Sequence, residues 1–116
     1  MAVKELPVRQ RGVCCGVEIG AEFAQLKQTA EILKALADST RLGMVAALWR
    51  AKEPVCICDF TAAFELTQPT ISHHMAKLKD AGLVESRKRG VWVYYRLVDN
   101  LPTGLRRLIA AAVDAA

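Results

Sequence analysis

The stretch of the sequence that most constrains the fold is Thr67–Leu78, TQPTISHHMAKL. It opens with a helix start signal, because Thr67 can serve as the N-cap and Pro69 falls in the first turn, where its missing N–H costs little. Apolar residues recur at i, i+4 and i+7 and give one apolar stripe: Ile71, Met75 and Leu78. The pattern predicts a helix that buries one face in a hydrophobic core.

The opposite face of this helix carries short polar side chains and few acids. Such side chains suit contacts with phosphates and with the edges of bases. The residues concerned are Gln68, Thr70, Ser72, His73, His74 and Lys77. Together with the apolar stripe, this face predicts a recognition helix that binds double-stranded DNA.

The flanking segments agree with that interpretation. Val55–Leu66 is predicted to form a short helix after Pro54, and the brief connection at Leu66–Thr67 gives a helix-turn-helix, whose second helix enters the major groove. After Gly82, a helix stop signal, two runs rich in β-branched and aromatic residues predict a hairpin. The predicted strands are Leu83–Lys88 and Val91–Leu97, with the turn at Arg89–Gly90.

The hairpin carries Arg87, Lys88 and Arg89 near its tip, so it is predicted to be a wing that grips phosphates or reaches the neighbouring minor groove. The net charge of +4 and the pI of about 9.0 agree with a polyanionic partner, because the basic residues bunch in this region.

Three further helices are predicted around this core: Glu18–Ala37, Ser39–Arg50 with Asp38 as its N-cap, and Leu101–Val113. The first and last helices carry more apolar surface than a small winged core can cover, which predicts a homodimer.

Two units are predicted in the 116 residues: a flexible, cysteine-bearing arm at 1–17, which lacks periodicity, and a single domain at 18–116. No run is apolar and long enough to cross a bilayer or to serve as a signal peptide, so we expect a cytoplasmic protein without a membrane partner.

Four cysteines offer soft ligands. Cys14 and Cys15 are adjacent in the arm, and Cys56 and Cys58 form a C-x-C at the start of the helix that precedes the recognition helix. Thiolates select soft ions, and the positive end of that helix is expected to favour the thiolate form. In a regular helix Cys56 and Cys58 point about 200° apart, so either the first turn unwinds or only one of them is a ligand.

Several of these motifs resemble the ArsR/SmtB family of metal-responsive repressors. The resemblance covers about residues 30 to 97 and rests on ALADSTRLGMVAAL and on TQPTISHHMAKLKDAGLVESRKRGVWVYYRL; PVCICDF is similar to the metalloid box of the arsenic-responsive members. It implies a mainly α fold with a β-hairpin wing, a winged helix-turn-helix of order ααααββα. It also implies a dimer joined by the first and last helices and an inverted-repeat operator.

The same resemblance implies a repressor that binds its operator as an apo dimer and is released when As(III) or Sb(III) binds thiolates. The family places a third cysteine where this chain has Thr61. Our hypothesis is that Cys14 and Cys15, contributed by the opposite subunit of the dimer, join Cys56 in a three-sulfur site, with Cys58 auxiliary. The zinc site that relatives carry on the last helix is not expected, because no histidine follows His74.

Two alternatives stay open for the signal: a Cd(II), Pb(II) or Zn(II) sensor that uses four cysteines, or a repressor that senses thiol oxidation. A thiol enzyme is not expected, because C-x-x-C and C-x5-R, the spacings that commonly activate a catalytic thiolate, are absent from the sequence. No organic cofactor is expected either.

Overall fold

The computed structural model describes Gly20 and residues 22–115. The order of elements is ααβααββα, and the three strands form one antiparallel sheet of order β1-β3-β2. The elements are α1 (Glu22–Leu36), α2 (Ser39–Arg50), β1 (Val55–Cys56), α3 (Ile57–Phe64), α4 (Gln68–Asp80), β2 (Val84–Arg89), β3 (Trp92–Leu97) and α5 (Thr103–Asp114).

The prediction of a helix over Val55–Leu66 is wrong at its start. Val55 and Cys56 form the short strand β1 instead, paired with Tyr95 and Tyr94 of β3. A β-branched residue favours the extended backbone, and the pairing satisfies backbone groups of β3 that would otherwise lie at the edge of the sheet. The order of elements therefore contains one strand more than the predicted ααααββα.

The start signals of α2 and α4 are confirmed. The carboxylate of Asp38 accepts a hydrogen bond from the backbone N–H of Arg41 (3.0 Å), and the hydroxyl of Thr67 accepts one from the N–H of Thr70 (3.4 Å). Each side chain thereby satisfies one of the donors that a helix N-terminus leaves unpaired.

The core confirms the apolar stripe of α4. Ile71, Met75 and Leu78 are at most 1% exposed, and they pack in one cluster with buried residues of every other helix and of the sheet. Among the largest buried partners are Met44 of α2, Phe60 of α3, Ile109 of α5, and Leu83, which lies between α4 and β2. The orientation of α4 is therefore fixed by packing on one side, and its other side is left for solvent or a partner.

The apolar side chains of α1 behave differently. Phe23, Leu26 and Leu33 are each about half exposed in the single chain, at 50%, 54% and 45%. Only the end of α1, at Ala35 and Leu36, is buried. The domain division at residue 17 and the arm with Cys14 and Cys15 lie outside the described residues. Among the helices that the structure describes, none is long and apolar enough to span a membrane.

Gly82 ends α4 in a left-handed conformation, with φ of +79°. The N–H of Gly82 donates to the carbonyl of Lys79 and the N–H of Leu83 to that of Leu78, which is the Schellman pattern, and the two leucines are fully buried. We expect Gly82→Ala to lower the free energy of unfolding by about 1 kcal/mol, because a Cβ is disfavoured at this φ. Urea denaturation would measure this, with Gly104→Ala, in the first turn of α5, as the control.

Candidate nucleic-acid interface and thiol pair

The solvent-facing side of α4 contains three of the six predicted DNA-binding residues of this helix. Gln68, His73 and Lys77 are exposed along its length. The helix lacks acidic residues in its first turn and has Lys77 and Lys79 in its last. This side of α4 is free to enter a groove of DNA with polar and positive groups.

The other three predicted residues of α4 are half-buried and have partners within the chain. The hydroxyl of Thr70 is 2.9 Å from that of Thr67. Ser72 lies beside the hydroxyl of Tyr95: burial raises the pKa of Tyr95, and the Ser72 side chain lowers it in part. Contact with DNA by these side chains stays a prediction, and each has an intramolecular role that the sequence did not indicate.

His74 belongs to a polar cluster at the junction of α1, α2 and α4. Its Nδ1 is 3.4 Å from a guanidinium nitrogen of Arg41 and 3.9 Å from the carboxylate of Asp38. The Nε of Arg41 also donates to the carbonyl of Ala35, at 2.7 Å, near the end of α1. The N–H of Arg41 is the main reason that the pKa of Asp38 is lowered. The side chain of Arg41 is therefore half-buried and bonded within the chain.

The wing presents its basic residues to solvent. Arg87, Lys88 and Arg89 are exposed on β2, opposite Tyr94, Val93 and Trp92 of β3. The guanidinium of Arg89 lies over the ring of Tyr94, 5.8 Å from its centroid, in a cation–π arrangement. The Arg89–Trp92 pair closes a two-residue turn at Gly90–Val91, one residue later than the predicted Arg89–Gly90.

Cys56 and Cys58 come together where β1 meets α3. Their sulfurs are 2.9 Å apart, because Cys56 is the N-cap of α3 with an extended backbone (φ −69°, ψ 144°), whereas Cys58 lies in the first turn. The argument that a regular helix separates these two thiols therefore does not apply, since Cys56 stands outside the helix. Two sulfurs of a tetrahedral zinc site lie about 3.8 Å apart, so the pair is already within reach of one ion.

The environments of the two thiols differ. Cys56 is buried, whereas Cys58 is exposed. The contact with the thiol of Cys56 raises the pKa of Cys58, and desolvation and the charge of Asp59 act in the same direction. The backbone N–H of Asp59, at the start of α3, lowers the pKa only in part.

Thr61, which stands where the resemblance implies a third cysteine, donates its hydroxyl to the carbonyl of Cys58 at 2.8 Å. Within the described part of the chain, no three His, Cys, Asp or Glu side chains are grouped as metal ligands. The predicted third and fourth thiols, Cys14 and Cys15, lie outside the described residues.

Comparison with known proteins assigns the chain to a family. The model of the bacterial regulatory proteins of the arsR family matches residues 38–86, from the cap of α2 into the wing. The arsenic resistance transcriptional regulator ArsR1 of Pseudomonas putida is 38% identical over 96 residues, which cover 83% of this chain and 74% of that protein. This chain belongs to the ArsR family. The arsenical resistance operon repressor of Escherichia coli is 43% identical over 82 residues, covering 71% of this chain and 69% of that protein.

A solved structure supports the same conclusion for the fold. The homodimeric winged helix-turn-helix domain of Mb0332 from Mycobacterium bovis, described as a possible ArsR-family regulator, superimposes with a TM-score of 0.65 at 30% identity. The match covers 83% of this chain and 84% of that one. The predicted winged helix-turn-helix is confirmed, and this member of the ArsR family is a DNA-binding transcriptional repressor rather than an enzyme.

Proposed function

We propose that this repressor responds to arsenite and antimonite: it binds its operator as an apo dimer and is released when As(III) or Sb(III) binds its thiols. The observation that carries the proposal is the 2.9 Å contact between the sulfurs of Cys56 and Cys58, next to the helix that supports α4. The names of the relatives, which are arsenic and arsenical resistance regulators, support the choice of ion.

The proposed ligands are Cys56, Cys58 and at least one of Cys14 and Cys15. Trivalent arsenic takes three sulfurs in a pyramid, and arsenious acid condenses with three thiols to form three As–S bonds and three waters, with no change in oxidation state. Because the described part of the chain supplies two adjacent thiols, the arm has to supply the third. We propose that the arm comes from the opposite subunit of the dimer.

The proposed DNA contacts lie on two exposed elements, α4 and the wing. Residues near the start of a recognition helix read base edges, and positive side chains hold phosphates. On α4 the base-reading candidates are Gln68, Thr70, Ser72, His73 and His74, of which the exposed Gln68 and His73 are the stronger. Phosphates are assigned to Lys77, Arg87, Lys88 and Arg89.

The position of Cys56 suggests how the signal reaches DNA. Cys56 ends β1 and caps α3, so a shift of its backbone acts on two elements at once. Through α3 it reaches α4, which packs on α3, and through the pairing with Tyr94 it reaches the wing. Coupling between the sites is reciprocal, so operator binding is expected to weaken arsenite binding by the same factor.

A homodimer completes the proposal. The half-exposed Phe23, Leu26 and Leu33 of α1 are the apolar surface that a second copy would cover, together with α5. Two recognition helices about 34–36 Å apart would then face successive major grooves, which requires an operator with an imperfect inverted repeat. As a regulator that acts on DNA, the protein is expected to work in the cytoplasm.

A second candidate signal is favoured by the same sulfur contact. With Cys58 beside Cys56, the four cysteines could form a tetrahedral site for Cd(II), Pb(II) or Zn(II). Oxidation of the pair to a disulfide is the third possibility.

Operator release separates the three signals. The reduced protein, bound to a fluorescent duplex from the promoter of its own gene, is titrated with arsenite, antimonite, Cd(II), Pb(II), Zn(II) and peroxide, and anisotropy is followed. Release by arsenite and antimonite at the lowest concentrations supports the proposal. Release first by a divalent ion indicates the four-sulfur sensor, and release by peroxide that dithiothreitol reverses indicates the redox sensor.

A further inference from the structure

Large apolar side chains are exposed at two places in the described part of the chain. The first is the α1 surface assigned above to the dimer. The second is the wing tip, which we define as Gly90, Val91 and Trp92; Val91 is 87% exposed and Trp92 is 52% exposed. Two adjacent large apolar side chains exposed at one tip are a candidate interaction site, and the dimer proposal does not use the wing tip.

The wing tip stands at the end of a two-stranded ribbon. β1 pairs only with Tyr94 and Tyr95, so the last pairs of the hairpin, Lys88–Val93 and Arg89–Trp92, extend beyond it. Gly90 has φ of +62° in the first central position of the turn, as a type II′ turn requires, and Val91 occupies the second. Val91 is therefore carried at the outermost point of the ribbon.

Positive groups surround this apolar tip. Trp92 lies opposite Arg89, Tyr94 opposite Arg87, and Arg89 leans over the ring of Tyr94. Cations beside exposed apolar side chains fit the minor groove of duplex DNA, where the potential is negative and the sugars form apolar walls. A purely protein partner would have to bury three neighbouring cations on β2, which disfavours that alternative.

We propose that Val91 and Trp92 form an apolar wedge that enters the minor groove beside each half-site, with Arg89 next to it. The partner is duplex DNA, and the contact is stabilised by burial of the two apolar side chains rather than by ion pairs with phosphates. The proposal rests on the DNA binding of the family and not on the arsenite response. A failed test of the wedge would therefore leave the proposed inducer unaffected, and the reverse also holds. All tests therefore use the full-length, reduced protein without metalloid, and a duplex that the protein selects from a random-sequence library.

The chain has two tryptophans, so Trp49→Phe leaves Trp92 as the only indole. We expect addition of the selected duplex to protect Trp92 from quenching by acrylamide. In the converse variant, Trp92→Phe, acrylamide quenching of the fluorescence of Trp49 on α2 should not change when the duplex is added. Equal quenching of Trp92 in free and bound protein would overturn the proposal.

Salt dependence separates the wedge from the phosphate contacts. Val91→Thr exchanges a methyl for a hydroxyl with nearly the same shape, and we expect about 4-fold weaker binding, the worth of one buried methyl group. The slope of log K against log salt should stay unchanged for Val91→Thr, whereas Arg89→Gln should reduce it by about 1. Wild-type affinity for Val91→Thr, or a loss that appears as a changed slope, would contradict an apolar contact.

The groove can be identified chemically. Replacing G·C pairs by inosine·C beside the half-site removes the amino group in the minor groove and leaves the major-groove pattern of donors and acceptors unchanged. We expect this replacement to tighten binding of the wild type more than that of Val91→Thr. Equal effects on the two proteins would exclude the minor groove as the site of the wedge.

Discussion

Replacement of Cys56 by alanine is expected to leave operator binding intact and to abolish release by arsenite. Cys56 is the buried member of the thiol pair and stands at the joint between β1 and α3. Loss of a group that only hydrogen-bonds a metal ligand already costs about 10–100-fold in affinity, so loss of a ligand itself should raise the arsenite concentration needed for release by more than about 100-fold. Anisotropy of an operator duplex during an arsenite titration measures this directly.

Alanine is preferred over serine at this position, because the side chain of Cys56 is 6% exposed and its neighbour is the sulfur of Cys58, a weak hydrogen-bond partner that would offset the burial of a serine hydroxyl poorly. Cys58→Ala is the matched variant. Because the two sulfurs are in contact, we expect Cys58→Ala to impair release as well, by a smaller factor if both Cys14 and Cys15 can replace the missing sulfur.

The outcomes of this pair of variants distinguish the hypotheses. A normal response of Cys56→Ala to arsenite would show that the site lies elsewhere. A normal response of Cys58→Ala with loss in Cys56→Ala would restore the original hypothesis of Cys14, Cys15 and Cys56 alone. Loss of the arsenite response in both variants, together with no release of either variant by Cd(II), would support a shared site that uses both cysteines of the C-x-C.

The parts of the fold that could be predicted from the sequence are those decided by local chemistry. Asp38 and Thr67 are confirmed as N-caps and Gly82 as the end of α4, because each acts on backbone groups within a few residues. The buried stripe of α4 was predictable for a similar reason, since helical periodicity alone determines which side chains share a face.

The strand β1 could not be predicted in this way. Two residues carry no periodic signal, and Val55 and Cys56 are extended because Tyr94 and Tyr95, far along the chain, offer them backbone partners. This missed strand had a consequence for the candidate site. The helical assignment separated the two sulfurs, whereas the observed strand-to-helix joint brings them together.

The separate roles of the two adjacent histidines could not be predicted either, because the sequence pattern assigns His73 and His74 to the same polar face. Successive helical residues differ by about 100°, so only the packing of α4 decides which of them meets the rest of the domain. The structure exposes His73 and turns His74 toward Arg41 and Asp38, with 18% of its side chain accessible. This difference leads to a prediction in which each histidine is the control of the other.

His73→Ala is expected to weaken operator binding with little change in stability. An exposed side chain on the DNA-facing side contributes little to folding, within about 0.5 kcal/mol. Loss of a base contact costs about 1–3 kcal/mol of binding, or roughly 5- to 150-fold in affinity. Denaturation in urea and anisotropy on the operator duplex give the two quantities. An unchanged affinity of His73→Ala would remove His73 from the base-reading residues.

His74→Ala is expected to lower both quantities, because His74 joins the recognition helix to the α1–α2 junction. Its loss removes the contact with the guanidinium of Arg41, and hydrogen bonds that involve a charged group are worth about 1.5–3 kcal/mol. His74→Asn places an amide oxygen where Nδ1 lies and should recover most of the stability and of the affinity. If affinity stays low in His74→Asn while stability returns, His74 contacts DNA itself, and its original assignment as a DNA-binding residue is correct.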